Sequence, residues 1–264
     1  MYNFPFTNKS LGQHWLTDED SLQAMCDAAE VLGDDTILEI GPGLGALTEL
    51  LAIKAQHVIA VEFDEKLADE LPSRVAAENL EIVKKDILKF DFTTLPPNYK
   101  VVANIPYYLT SNLIRVLSES SNMPITVVLL VQKEVAERVA AVPGAMSILT
   151  VTAQYYWEVS LGRVVRSELF TPSPKVDSQI LILGRRSKPL FSDVDSKVFF
   201  RLVKAGFAQR RKTLLNSLSS GLHLDKATTT KLLESADIEP GARAQTLSLK
   251  QWHELYIKLN MLSL

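Results

Sequence analysis

The sequence predicts an α/β protein, a doubly wound sheet followed by a small all-helical C-terminal domain. Three observations carry this. Ile37-Leu38-Glu39-Ile40 is a short apolar run that ends in Gly41-Pro42-Gly43-Leu44-Gly45 and gives way at once to the helical pattern of Ala46-Leu47-Thr48, the signature of strand, tight turn and helix. Short apolar strands and amphipathic helices then alternate, with Glu62 and Asp86 at strand ends, and such alternation calls for a parallel sheet with helices on both faces. After the basic, punctuated stretch Gly184-Arg185-Arg186-Ser187-Lys188-Pro189 the pattern is helical throughout, which sets two domains at 1–184 and 185–264.

Composition bounds the rest. With 264 residues, 47% of them hydrophobic, the chain has enough apolar surface for one large core and one small one. A lone cysteine, Cys26, excludes an internal disulfide and a cysteine-based zinc cluster, and fits a reducing compartment. The opening Met1-Tyr2-Asn3-Phe4-Pro5-Phe6 lacks a basic region followed by a long apolar one, so the expectation is a soluble, unexported, cytoplasmic protein. The net charge of −3 hides an asymmetry: residues 1–180 carry 14 Lys/Arg against 24 Asp/Glu, and residues 181–264 carry 14 against 7. A basic tail on an acidic body suits a phosphate-binding module attached to a small-molecule enzyme; a merely solvated helical face is the alternative.

In chain order, an arm containing Lys9-Ser10-Leu11-Gly12-Gln13-His14-Trp15-Leu16 leads to Thr17 and Asp20, a capping arrangement for a helix through Ala29. The glycine turn follows, and its close backbone approach suits a ligand. Gly41-x-Gly43-x-x-Ala46 meets the loose dinucleotide fingerprint, while Glu39-x-Gly41-x-Gly43-x-Gly45 resembles the first motif of methyltransferases that use S-adenosylmethionine. The strand His57–Glu62 ends in a carboxylate 21 residues after Gly41, placed to accept from ribose hydroxyls, which both ligands carry. Phe63 to Leu71 is an amphipathic helix, and Leu80 to Asp86 a third strand. Asp86 suits the exocyclic amine of an adenine, with a helix N-cap as the plainer role.

The fourth strand, Lys100 to Ala103, runs into Asn104-Ile105-Pro106-Tyr107. This tetrapeptide resembles the (Asn/Asp)-Pro-Pro-(Tyr/Phe) signature of enzymes that methylate exocyclic amines of nucleobases. The residue types fit that chemistry, because an adenine amine has its lone pair drawn into the ring. If the Asn104 amide oxygen and the Ile105 carbonyl accept its two N–H bonds, the nitrogen moves toward tetrahedral geometry and its lone pair is freed for in-line attack on a sulfonium methyl. Pro106 stiffens the turn, and Tyr107 offers a stacking face.

Ile125 to Val131 is a fifth strand, followed by a helix from Gln132-Lys133-Glu134 to Val139. Elements over 147–156 and 159–161 have no type fixed by pattern. The proline-fixed loop Phe170 to Ser178, a wall for a base pocket or a bare turn, precedes the strand Gln179 to Leu183. Beyond the linker, a helix from Phe199 to Ala208 continues into Gln209-Arg210-Arg211-Lys212-Thr213-Leu214-Leu215, where cations at Arg210, Arg211 and Lys212 fan out so that at least one faces a phosphate backbone. The last helix runs from Lys250 to Leu259.

Leu11 to Leu16, Glu39 to Thr48, Asn104 to Tyr107, Gln132 to Glu134, Phe170 to Ser178 and Gln209 to Leu214, in that order, resemble the bacterial small-subunit ribosomal RNA adenine dimethyltransferases, the family linked to kasugamycin sensitivity. The resemblance implies a class I methyltransferase (Rossmann-like) sheet. It implies transfer of four methyl groups to two adjacent adenosines in a hairpin loop near the 3′ end of small-subunit rRNA, during subunit biogenesis. By matching positions, S-adenosylmethionine is held by His14, Leu16, Gly41, Glu62, Asp86 and Asn104. The implied partners are the small ribosomal subunit and its rRNA, with no membrane, no metal and a monomeric enzyme. Departures are His14 where the family often has Asn, Trp15 where Phe is usual, and Tyr108 where Asn is frequent. Three rivals remain: a resistance methyltransferase acting on large-subunit rRNA, a non-catalytic assembly factor on the same fold, and a nicotinamide oxidoreductase.

Overall fold

A computed structural model describes residues 13–209 and 211–262. The chain forms two compact units, Met1–Glu137 with Trp157–Arg185, and Arg138–Tyr156 with Arg186–Leu264. It therefore passes between them three times, where the sequence suggests one boundary at 184–185.

The first unit holds β1 (Trp15–Leu16), α1 (Glu19–Ala28), β2 (Thr36–Ile40), α2 (Ala46–Lys54), β3 (His57–Glu62), α3 (Glu65–Arg74), β4 (Leu80–Lys84), β5 (Lys100–Asn104), α4 (Thr110–Glu119), β6 (Thr126–Gln132) and the start of α5 (Lys133–Val139). After α6 (Ile148–Tyr156), which belongs to the second unit, it is completed by β7 (Trp157–Val165), β8 (Phe170–Thr171) and β9 (Ser178–Arg185). Seven strands form one sheet in the order β4-β3-β2-β5-β6-β9-β7, parallel through the first five. Of these, β2, β3, β5 and β6 are buried on both faces, which is why β2, β5 and β6 read as continuous apolar runs instead of alternating. The parallel sheet expected from the alternation holds over the first five strands, and β9 and β7 extend it antiparallel. The segment 157–165, of unfixed type in the sequence, is the edge strand.

Helix boundaries follow local chemistry. Asp18, not Thr17, caps α1, its carboxylate accepting from Ser21 N at 3.0 Å. Strand order turns between β2 and β5: β3 and β4 lie to one side, β6 to the other. This is the switch point at which parallel α/β sheets open a crevice beyond their strand ends. A two-stranded antiparallel ribbon, β1 with β8, pairs Trp15 with Thr171 and Leu16 with Phe170.

The second unit consists of α6, α7 (Ser196–Phe207), α8 (Leu214–Leu222), α9 (Lys226–Ser235) and α10 (Leu249–Leu262) around Tyr155, Phe199, Leu218, Leu232, Trp252 and Leu255. The continuous helix expected through 209–215 is corrected here. α7 stops at Phe207, Arg211 and Lys212 sit in a turn with Lys212 N bonded to Gln209 O at 2.9 Å, and helix resumes only at Leu214. Arg210 lies outside the described residues. Among the described residues no helix is long and apolar enough to cross a membrane.

Candidate active site

A cleft open to solvent lies beyond the ends of β2, β3 and β5. Its floor is the glycine turn. Gly41 and Gly43 take φ of +67° and +57°, values that cost any residue with a Cβ. Their surroundings differ. A Cβ on Gly43 would stand 2.6 Å from the Trp15 ring, whereas one on Gly41 would meet no protein atom within 4 Å and would stand in open space at the cleft lining. Gly43 therefore serves packing, and Gly41 serves whatever enters.

Two carboxylates wall the cleft. Glu62, at the end of β3, accepts from Gly43 N at 3.2 Å through Oε2 and from Asp64 N at 2.9 Å through Oε1. Burial raises its pKa, and the N–H groups of Asp64, Gly43 and Phe63 oppose that shift. Glu39, on β2, is only 1% exposed, and burial pushes its pKa up to about 8. The neighbouring Thr48 hydroxyl lowers it in part without reaching hydrogen-bond geometry, and nearby Glu62 raises it further. Glu39 Oε2 and Thr48 Oγ1 are both buried without a partner.

Asn104 closes β5 in register with Leu130, and Asn104, Ile105, Pro106 and Tyr107 all line the cleft. Among the described residues neither the Asn104 side chain nor the Ile105 carbonyl has a hydrogen-bond partner, so two acceptors stand free side by side. The Pro106 carbonyl is occupied by Leu109 N at 3.0 Å, which closes the turn and fixes the two residues before it. Tyr107 is pinned: its hydroxyl is 2.8 Å from Ser178 Oγ, and His14 stacks on its ring at 6.0 Å and 22°. His14 lies 2.6 Å from the Pro172 carbonyl through Nδ1. A carbonyl only accepts, so Nδ1 carries a proton and Nε2 of the neutral ring is left as an acceptor.

The structure brings His14, Leu16, Gly41, Glu62 and Asn104 to Tyr107 into one cleft. It does not bring Asp86 to the lining: Asp86 caps a short 3₁₀ turn through Leu88 N at 3.0 Å, with its other oxygen 4.0 Å from Lys89. Arg211 and Lys212 are exposed on the second unit. Trp15 and Tyr108, the two aromatic departures from the family pattern, line the cleft, and Phe63 is a lining group that sequence reasoning missed. Phe63 and Tyr108 are exposed aromatic rings, each directly after a motif residue, and that adjacency was the available signal. Taken together the cleft offers two acids and two free amide-type acceptors, an acceptor set for a cationic ligand bearing hydroxyls and for an amine.

The family model described as ribosomal RNA adenine dimethylase matches residues 6–260. A Dehalococcoides mccartyi (strain CBDB1) protein named ribosomal RNA small subunit methyltransferase A is 42% identical over 95% of this chain and 87% of its own length. A Clostridium botulinum (strain Langeland) protein of the same name is 41% identical over 96% and 94%. Among solved structures, a dimethyladenosine transferase from Plasmodium falciparum superposes with a TM-score of 0.81 at 27% identity, covering 95% of this chain and 99% of that one. The 23S rRNA methyltransferase ErmE superposes with a TM-score of 0.75 at 29% identity, over 93% and 99%.

Proposed function

The chain belongs to the ribosomal RNA adenine dimethylase family, and from that premise we propose that it acts, as a cytoplasmic monomer, on the exocyclic amines of two adjacent adenosines in a hairpin loop near the 3′ end of small-subunit rRNA, with S-adenosylmethionine as donor. The observation that carries the reading is the pair of free acceptors, the Asn104 side chain and the Ile105 carbonyl, held at the rim of a cleft that also contains Gly41 and Glu62.

The cleft fits the donor: Gly41 leaves open space that a Cβ would fill, and each Glu62 oxygen keeps a lone pair for a ribose hydroxyl beside its backbone bond. When bound, S-adenosylmethionine supplies a methyl group on a positively charged sulfur. His14 would accept through Nε2 from the donor's ammonium, a role open to Asn as well, and Leu16 gives an apolar wall. Asp86 lies outside the lining but follows Lys85, whose N–H bonds the Glu62 carbonyl at 2.9 Å, so its oxygen left over by the cap would take the adenine amine of a donor that extends past the lining. On the acceptor side Asn104 and Ile105 receive the two N–H bonds of the target amine, orient its lone pair toward the cleft and hold it there. Such an amine becomes acidic only as the new N–C bond forms and the methyl–sulfur bond breaks, so its proton leaves late, to the solvent that the open cleft admits.

Extruding an unpaired loop base is inexpensive relative to opening a duplex, and the exposed Tyr108 ring at the rim gives such a base a face to stack on. Arg211 and Lys212, with Arg210, would meet phosphates, and the helical unit would serve as an RNA-binding domain. The likeness to ErmE motivates one second reading, methylation of large-subunit rRNA. Labelled donor incubated with unmodified small and large subunits, followed by mass spectrometry of the nucleosides, separates them. Dimethyladenosine from small subunits alone is expected; label confined to large subunits would overturn the assignment.

A further inference from the structure

Glu39 is a buried acid that the transfer step leaves unused, although it lines the same cleft. Its Oε2 has no hydrogen-bond partner, which for a carboxylate in an apolar wall is an expensive state and for a carboxylic acid a tolerable one. The groups packed around it explain why nothing in the protein neutralises it. β3 and β5 set Ala60 and Val102 beside it in register, and β3 adds Glu62. α1 contributes the Cys26 thiol, itself held neutral by burial, and α2 contributes the unpartnered Thr48 hydroxyl. His14 and the amide of Asn104 line the same cleft. Among these, no fixed positive charge faces Glu39.

We infer that Glu39 is a proton-linked reader of ligand charge: it stands uncharged in the free cleft and releases its proton to solvent when a cationic group is seated above the glycine turn. The inference rests on the proposed binding of S-adenosylmethionine in this cleft. That donor carries two positive centres, its sulfonium and its ammonium, and either would convert Glu39 from an acid that is best neutral into a partnered carboxylate. With the free group titrating at about 8, a ligand bound at pH 7 displaces most of one proton, and one bound above about pH 9 displaces almost none. Affinity for the cation then rises as pH rises, by up to about tenfold per unit below 8, and levels off above it. Among bound ligands, those without the sensed charge gain nothing.

Titration calorimetry of the intact enzyme in buffers of different ionisation enthalpy counts the protons released. Three ligands are compared: S-adenosylmethionine, S-adenosylhomocysteine (no sulfonium) and methylthioadenosine (neither charge). Release of close to one proton at pH 7 with the first only assigns the sulfonium as the sensed charge; release with the first two assigns the ammonium. Both outcomes support the inference. Glu39→Gln, which keeps the volume and the neutral hydrogen-bonding form, is expected to fold, to bind all three and to release no proton. Binding of S-adenosylmethionine by the wild type without proton release, or an undiminished release by Glu39→Gln, overturns the inference and leaves the functional reading standing. No binding of S-adenosylmethionine at all overturns both.

Discussion

Gly41→Ala and Gly43→Ala separate two reasons for glycine in one turn. Each places an alanine at positive φ, +67° and +57°, which costs about 1–2 kcal/mol of folding stability. At Gly43 the new methyl carbon would also stand 2.6 Å from the Trp15 ring, and moving that ring adds about 1–3 kcal/mol, for a total of about 2–5. At Gly41 nothing within 4 Å adds to the backbone cost, so the free protein stays within about 2 kcal/mol of wild type. Affinity is expected to run the other way. The Gly41 methyl stands in the cleft, and crowding a bound ligand by one methyl costs about 1–3 kcal/mol, roughly 5- to 150-fold in Kd. Urea unfolding gives the stabilities, and calorimetry with S-adenosylmethionine gives the affinities. Gly41→Ala should be the more stable variant and a poor binder. A Gly41→Ala protein that binds within twofold of wild type would refute the placement of the ligand on this turn.

Further outcomes follow from other contacts. Asn104→Ala should lower methyl transfer by about 10²–10³-fold while calorimetry still detects donor binding, since one of the two acceptors for the amine is lost; near-normal turnover would remove the proposed mechanism. Arg211→Ala should weaken binding to small subunits and reduce the slope of log affinity against log salt by about one, as expected for loss of one phosphate contact; an unchanged slope would count against that role. Lys100 Nζ donates at 2.7 Å to both Asp35 Oδ2 and the Glu30 carbonyl, and the paired side chains are 8% and 13% exposed. Lys100→Met should cost about 3–5 kcal/mol by stranding Asp35, and Lys100→Met with Asp35→Leu should recover much of it in the same unfolding assay.

Much of the site was legible because its chemistry is carried by strand ends. Gly41, Gly43, Glu62 and Asn104 to Tyr107 close strands whose apolar runs are visible in the sequence, and parallel strands deliver their ends to one edge. The two-residue ribbon of Trp15–Leu16 with Phe170–Thr171 was not legible, since so short a pairing between segments far apart in the chain has no periodicity to detect. Nor was the interruption of helix at Arg211–Thr213. Gln, Arg and Lys are good helix formers, so local preference favoured continuation. In the structure Leu214 N instead bonds the Ala242 carbonyl at 2.7 Å, a distant partner that propensity does not contain. Glu39 was visible as the acid that opens the glycine motif, but its burial without a partner for Oε2 was not, because that depends on what the fold packs around it.

The reversal of the last two strands has a consequence for catalysis that a fully parallel sheet would not allow. Because β9 runs antiparallel to β6, its first residue, Ser178, pairs with the last residue of β6, Gln132. The proline-fixed loop before β9 therefore arrives at the same edge where β2, β3 and β5 end; in a parallel β9 it would enter at the opposite edge, away from the cleft. Three contacts depend on that arrival. Ser178 holds the Tyr107 hydroxyl, the Pro172 carbonyl fixes the His14 ring, and Phe170 pairs with Leu16 while lining the cleft. Tyr107 and His14 stack on each other, so the loop fixes both partners of that pair at once. His14 and Leu16 on one side of the cleft and Tyr107 on the other are thus positioned by one connection, and under the proposed reaction that connection would couple where the methyl group is offered to where the amine receives it.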